Sequence, residues 1–226
     1  MKKPIVLIFL TLLFGNSSAS SFGWNEALLA SMKLQEDYAY ERTVDSYMRL
    51  FRRDVWTRHR NDEFELQDKR VETVEIMKDR VDNLDLNSEF LVNTEFRFLE
   101  YDFEKSEYPL IALNEDSIIR IEHVAHRSHH VSTYGLPTSF DLSFTNTDII
   151  GAIPMKQDVA REFLISRRDS RGNVNRALSV ALYFKLIDFH ENDNRFDAEI
   201  TRVDIFHGPL RDRGSVIKSF RTEKRG

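Results

Sequence analysis

The chain has 226 residues, of which 41% are hydrophobic, 31% charged and 12% aromatic, with a formal net charge of −5 and no cysteine. That length suits one domain, and the apolar fraction is enough for a packed core, so wholesale disorder is excluded. The lack of cysteine excludes a disulfide framework, a thiolate zinc site, a thiol nucleophile and a Cys-anchored lipid.

The first twenty residues have the order of a secretory signal. Lys2 and Lys3 precede an apolar run from Ile5 to Phe14, and small residues follow at Ser17, Ser18, Ala19 and Ser20. Cleavage fits after Ala19 or after Ser20. The run is about ten residues, against about 20 for a bilayer span, and no second such run follows, so the mature chain is not expected to span a membrane. A cysteine-free chain behind such a signal is expected in a bacterial periplasm or secreted. Cleavage removes two lysines and no acids, which leaves 30 basic and 37 acidic residues, a net charge of −7. That balance argues against a general nucleic-acid binder.

Between Gly23 and Pro109 lie 85 residues with neither glycine nor proline, and the first two thirds read as helix. Residues 24–34 are expected to form a short helix. Tyr40, Val44, Met48, Phe51 and Val55 then recur at helical spacing as one apolar stripe. A third helix is expected from a cap at Asn61 or Asp62, with Glu63 and Glu65 at the positive end of its dipole and Phe64, Val71, Val74, Val81 and Leu84 as its apolar face.

The period then falls to two. Phe90, Val92, Thr94, Phe96 and Phe98 alternate with Leu91, Asn93, Glu95 and Arg97, and the apolar phase then jumps to Leu99, Tyr101 and Phe103, as a bulge would cause. Further strands are expected at 117–123, 139–145, 177–189, 196–206 and 215–221, with a hairpin turn at 191–194. One helix interrupts them at 154–168, started by Pro154, with Met155, Val159 and Phe163 on one face. The fold class is therefore α+β: N-terminal helices (21–88), then a sheet-rich part (89–226) with an antiparallel sheet of about six strands and one inserted helix, in a single domain behind a cleaved signal at 1–20.

Several segments carry a resemblance. Arg60-Asn61-Asp62-Glu63-Phe64, Glu100-Tyr101-Asp102-Phe103-Glu104 and Tyr108-Pro109-Leu110 resemble segments of an uncharacterised family of secreted bacterial domains of unknown function, as does Leu178–Leu186 running into Ala198–Ile200. The resemblance implies a secreted bacterial domain and assigns no catalytic residue.

Two clusters could carry chemistry. Four of the seven histidines fall within eight residues, at His123, His126, His129 and His130. Neutral imidazoles so close together could hold zinc or another divalent transition metal, although no established ligand signature is present. The second cluster is arginine-rich: residues 49–60 hold five arginines and one aspartate, whereas 61–107 hold fifteen acids and six bases. Arg52, Arg53 and Arg60 lie three or four positions from Trp56, within reach of stacking on the indole, and with Arg49 and Arg58 they could dock an anionic ligand or surface. The plainer expectation is that these arginines pair with the acids downstream. The spacing of Asp188, Asn192, Asn194 and Glu199 fails as a calcium loop, because its flanks read as strands. No nucleophile elbow, phosphate loop or dinucleotide fingerprint is present.

The sequence thus predicts a non-enzymatic interaction or ligand-binding module with no resident cofactor, partnered by an envelope protein or an anionic ligand. The alternatives are a metal-binding protein or metal-dependent hydrolase using the His123–His130 cluster, and an envelope-surface anchor using the arginine-rich helix.

Overall fold

The computed structural model describes residues 19–123, 134–208 and 214–222. After a two-residue strand β1 (Ser20–Ser21) come four helices: α1 (Trp24–Leu34), α2 (Tyr40–Phe51), α3 (Arg53–His59) and α4 (Glu63–Asp82). Asp62 caps α4, its carboxylate accepting the N–H groups of Phe64 and Glu65 at 3.1 and 3.0 Å. This satisfies two donors that a helix start leaves orphaned.

Two helical expectations need correction. The stripe from Tyr40 to Val55 is not one helix, because the backbone breaks at Arg52 (φ −132°, ψ 44°) between α2 and α3. At the break the Arg52 guanidinium reaches α4 and donates to Glu72 and to the Thr73 hydroxyl at 2.5 and 2.7 Å. On α4 the buried side chains are Leu66, Thr73, Val74, Met77 and Val81, whereas Phe64 and Val71 are 80% and 58% exposed. At about 100° per residue, Phe64 and Val71 lie on the side opposite Leu66 and Met77, so the sequence offers two apolar stripes and packing selects one. Arg70 clamps Asp45 of α2 through two bonds of 2.7 and 2.8 Å, and Arg80 donates to the Tyr47 hydroxyl at 2.9 Å.

The remaining strands are β2 (Phe90–Phe98), β3 (Glu107–Tyr108), β4 (Leu110–Ile111), β5 (Ile118–Glu122), β6 (Ser139–Phe144), β7 (Ile153–Pro154), β8 (Ala177–His190), β9 (Arg195–Phe206) and β10 (Val216–Arg221), with helix α5 (Gln157–Ser166) before β8. The expected six-stranded antiparallel sheet is an eight-stranded mixed sheet. Its order is β1-β2-β8-β9-β6-β5, with β4 also on β2 and β10 also on β9, while β3 and β7 form a separate pair. Pairs β1·β2 and β6·β9 are parallel. Side-chain period does not encode strand direction, and the chain between β6 and β9 is long enough for the crossover that parallel pairing requires. The added strands β1 and β4 are two residues each, too short to show a period.

The phase change after Phe98 is no bulge: β2 ends there and the chain turns away, with Ser106 at φ 54°. Register shifts occur instead on β8·β9, at Tyr183/Phe184 and Leu186/Asp188. Helix α5 starts after Lys156, because Pro154 belongs to β7; its buried residues are Ala160 and Phe163, and Val159 is exposed.

The core lies between the helices and one sheet face. Leu178, Val180, Leu182 and Phe184 of β8 and Phe196, Ala198, Ile200, Val203 and Ile205 of β9 join Trp24, Leu28, Met48 and Met77 in one buried cluster. Among the described residues no helix is long and apolar enough to cross a membrane.

Candidate anion-binding site on the second and third helices

The five arginines of residues 49–60 have different surroundings. Arg49 stacks on Trp56, its guanidinium carbon 4.4 Å from the ring centre and 5.7 Å from that of Tyr134. Seven residues along a continuous helix would separate the pair by about 10 Å; the break at Arg52 brings them together. The sequence spacing had put Arg52, Arg53 and Arg60 against this indole.

Arg52 is taken up by packing through Glu72 and Thr73. Glu72 also accepts from Lys69 at 2.7 Å, and the hydrogen bonds from Lys69 and Arg52 together hold its carboxyl below the ordinary value. For Arg52, pairing with the downstream acids is what occurs.

Arg53, Arg58 and Arg60 are exposed and have no ion pair among the described residues. Arg53 and Arg58 flank a shallow depression lined also by Leu50, Phe51, Asp54 and Thr57. The corner beyond is fixed by His59, whose Nδ1 lies 2.7 Å from Glu65, and by the Asp62 N–H donating to the His59 carbonyl at 3.0 Å. A guanidinium with no protein carboxylate keeps its fork of donors for an external carboxylate or phosphate.

Of the histidine cluster, His123 directly follows β5 and donates its backbone N–H to the Thr138 carbonyl at 3.1 Å. Its ring meets the Trp24 indole edge-on at 4.4 Å, and the indole N–H donates to the Pro137 carbonyl at 3.0 Å. Burial pushes the His123 imidazole below its ordinary value, which favours the neutral form that ligates metals. His126, His129 and His130 lie outside the described residues. Among the described residues no three His, Asp or Glu side chains are grouped so as to hold a metal.

One polar web went unnoticed in the sequence. Asp197 of β9 accepts the Ser143 hydroxyl at 2.7 Å and lies 2.8 Å from Nε2 of His190. The three sit on β6, β9 and β8, so only strand pairing shows them to be neighbours. Ser143 donates to the carboxylate and does not engage the imidazole, so the web lacks the nucleophile–base contact of a hydrolytic triad.

No curated protein and no solved structure matches the chain. Residues 40–166, which hold the whole arginine segment, match the family described as Domain of unknown function (DUF4852). Since this stretch is more than half of the 226 residues, the chain belongs to that family.

Proposed function

We propose that the protein is a non-enzymatic module that docks an anionic envelope ligand through Arg53, Arg58 and Arg60, with the Arg49–Trp56 stack setting the corner that presents them. The observation behind this reading is the division of labour in residues 49–60: of five arginines, only Arg52 is neutralised by a carboxylate among the described residues. The same reading takes residues 1–20 as a cleaved secretory signal and sets the docking outside the bacterial cytoplasmic membrane.

The test is flotation of the mature chain with vesicles of phosphatidylcholine alone or with phosphatidylglycerol. Binding is expected only to the anionic vesicles. It should fall steeply between low and molar salt, as the screening length shrinks from about 30 to about 3 Å. Reversing all three charges (R53E, R58E, R60E) should abolish it. Binding that ignores salt or survives the reversal would reject the reading. A second reading, metal binding by His123 with His126, His129 and His130, is supported by the neutral state that burial favours for His123. It requires zinc binding that is lost in H123A/H126A.

A further inference from the structure

The segment joining α5 to β8, residues 167–176, carries four arginines and one aspartate in ten positions. The aspartate is engaged by the loop's own backbone and by Asn173. Asp169 accepts the backbone N–H groups of Arg171 and Asn173 at 2.8 Å each and the Asn173 side-chain amide at 3.1 Å. Those bonds, the Asn173 side chain foremost, hold its carboxyl below the ordinary value, so it stays ionised and offsets one of the four arginine charges. Gly172 makes the turn with φ +85°.

Two of the arginines, Arg167 and Arg176, are held in place by carbonyls and aromatic rings. Arg167 donates from Nε to the Asn175 carbonyl and from Nη1 to the His207 carbonyl at 2.7 Å each, and from Nη2 to the Ala177 carbonyl. Its guanidinium carbon lies 5.6 Å from the Phe98 ring centre and 5.4 Å from that of Phe163. Arg176 donates to the Leu99 carbonyl at 2.5 Å and lies 5.2 Å from the Phe98 ring centre. Arg168 and Arg171 are exposed at the loop's outer side. None of these four arginines has an ion pair among the described residues. Arg167 is held below its ordinary value by burial, which marks a partly desolvated positive charge set among carbonyl dipoles and aromatic rings.

Surface arginines usually pair or move freely. Here two are locked on an aromatic ring and two more, Arg168 and Arg171, are exposed in the same ten-residue loop, where the carboxylate of Asp169 offsets only part of the positive charge. We propose that this end of the sheet is a second anion-binding site, in which Arg168 and Arg171 contact the ligand and Arg167 and Arg176 supply fixed positive charge. The ligand class is a phosphoryl oxyanion bearing at least two negative charges. Guanidinium forks match phosphoryl oxygens two at a time, and the excess of positive charge exceeds what a monoanion offsets. The site shares no residue with the arginines of the proposed docking surface.

Inorganic pyrophosphate is the probe, titrated calorimetrically into the full mature chain at low salt. We expect saturable binding that R168A/R171A weakens at least about tenfold, a loss of about 1.4 kcal/mol. Because Arg168 and Arg171 are exposed, the melting temperature should not change, and R53A/R58A should bind pyrophosphate like the parent. Absence of saturable binding, or equal binding by parent and R168A/R171A, would overturn the proposal. Flotation with phosphatidylglycerol vesicles identifies the source of the phosphoryl group: a lipid headgroup if R168A/R171A also releases the vesicles, a soluble phosphoryl compound if it does not. If R53A/R58A loses vesicles and keeps pyrophosphate, or the reverse holds for R168A/R171A, the two sites succeed or fail separately.

Discussion

Asn146 holds both backbone groups of Ile200. Its amide donates to the Ile200 carbonyl at 2.9 Å and accepts the Ile200 N–H at 2.8 Å. Ile200 is fully buried and lies where β9 changes partner: β6 pairs with residues 195–198 and β10 with 202–206. The side chain therefore stands in for a missing strand. Asn146→Ala should cost about 1–3 kcal/mol, since it leaves a buried donor unpaired, and Asn146→Asp, which keeps only the acceptor, should lie in the same range. Urea unfolding checks both; a cost near zero for Asn146→Ala would show that water fills the gap.

Phe22 should be among the costliest residues to truncate. It is 3% exposed and meets Phe90, Phe184 and Phe196 edge-on, with centroids 5.1, 5.4 and 5.8 Å away. Phe22→Ala is expected to lose about 3–5 kcal/mol and to lower the thermal midpoint. A loss under about 1 kcal/mol, the level of a surface change, would mean that the N-terminal segment does not plug this core.

Asp197 predicts the acid limb of stability. Burial alone would raise its carboxyl, but the hydrogen bonds from His190 and Ser143 and the charges of His190 and Arg195 outweigh burial, and the net shift is below the ordinary 3.8. A carboxyl depressed in the folded state stabilises fully above its unfolded value and loses that contribution as pH falls through the folded one. Ser143→Ala should therefore leave less stability to lose below about pH 4 and should move the Asp197 carboxyl titration, followed by NMR, to higher pH. An unchanged titration would remove Ser143 from the account.

Arginines that pack and arginines that dock should separate in stability measurements. Arg52→Ala should cost about 1–2 kcal/mol, reduced from a buried charge–hydrogen bond because Glu72 is partly exposed. Arg53→Ala and Arg58→Ala should stay within about 0.5 kcal/mol. Equal costs for all three would dissolve the distinction.

The parts of the fold legible in the sequence were those with a strong period or a specific cap. Asp62 as a cap, the alternation of Phe140, Leu142 and Phe144, and the 191–194 turn, where Asn194 takes φ 49°, all follow from local chemistry. What escaped depended on contacts between distant segments. The break at Arg52 coincides with bonds to residues 20 and 21 positions away. The parallel pairing of β6 with β9 leaves no mark on side-chain alternation, and Phe64 and Leu66 look equally apolar until α2 selects a face. At the candidate site the arginine block was visible as composition, but Arg49 as the partner of Trp56, and Tyr134 beside it, depended on the break.

The strand order also bears on where the family match begins and ends. Residues 40–166 supply β2 and, farther along the chain, β5 and β6, yet β8 and β9 lie between β2 and β6 in the sheet. An excised 40–166 fragment would have two separate pieces of sheet with no strand to join them, each with unpaired backbone edges that invite aggregation. The boundaries of shared ancestry and the boundaries of a foldable unit therefore do not coincide in this protein: the long hairpin after residue 176 is the keystone that makes the matched segment a structure.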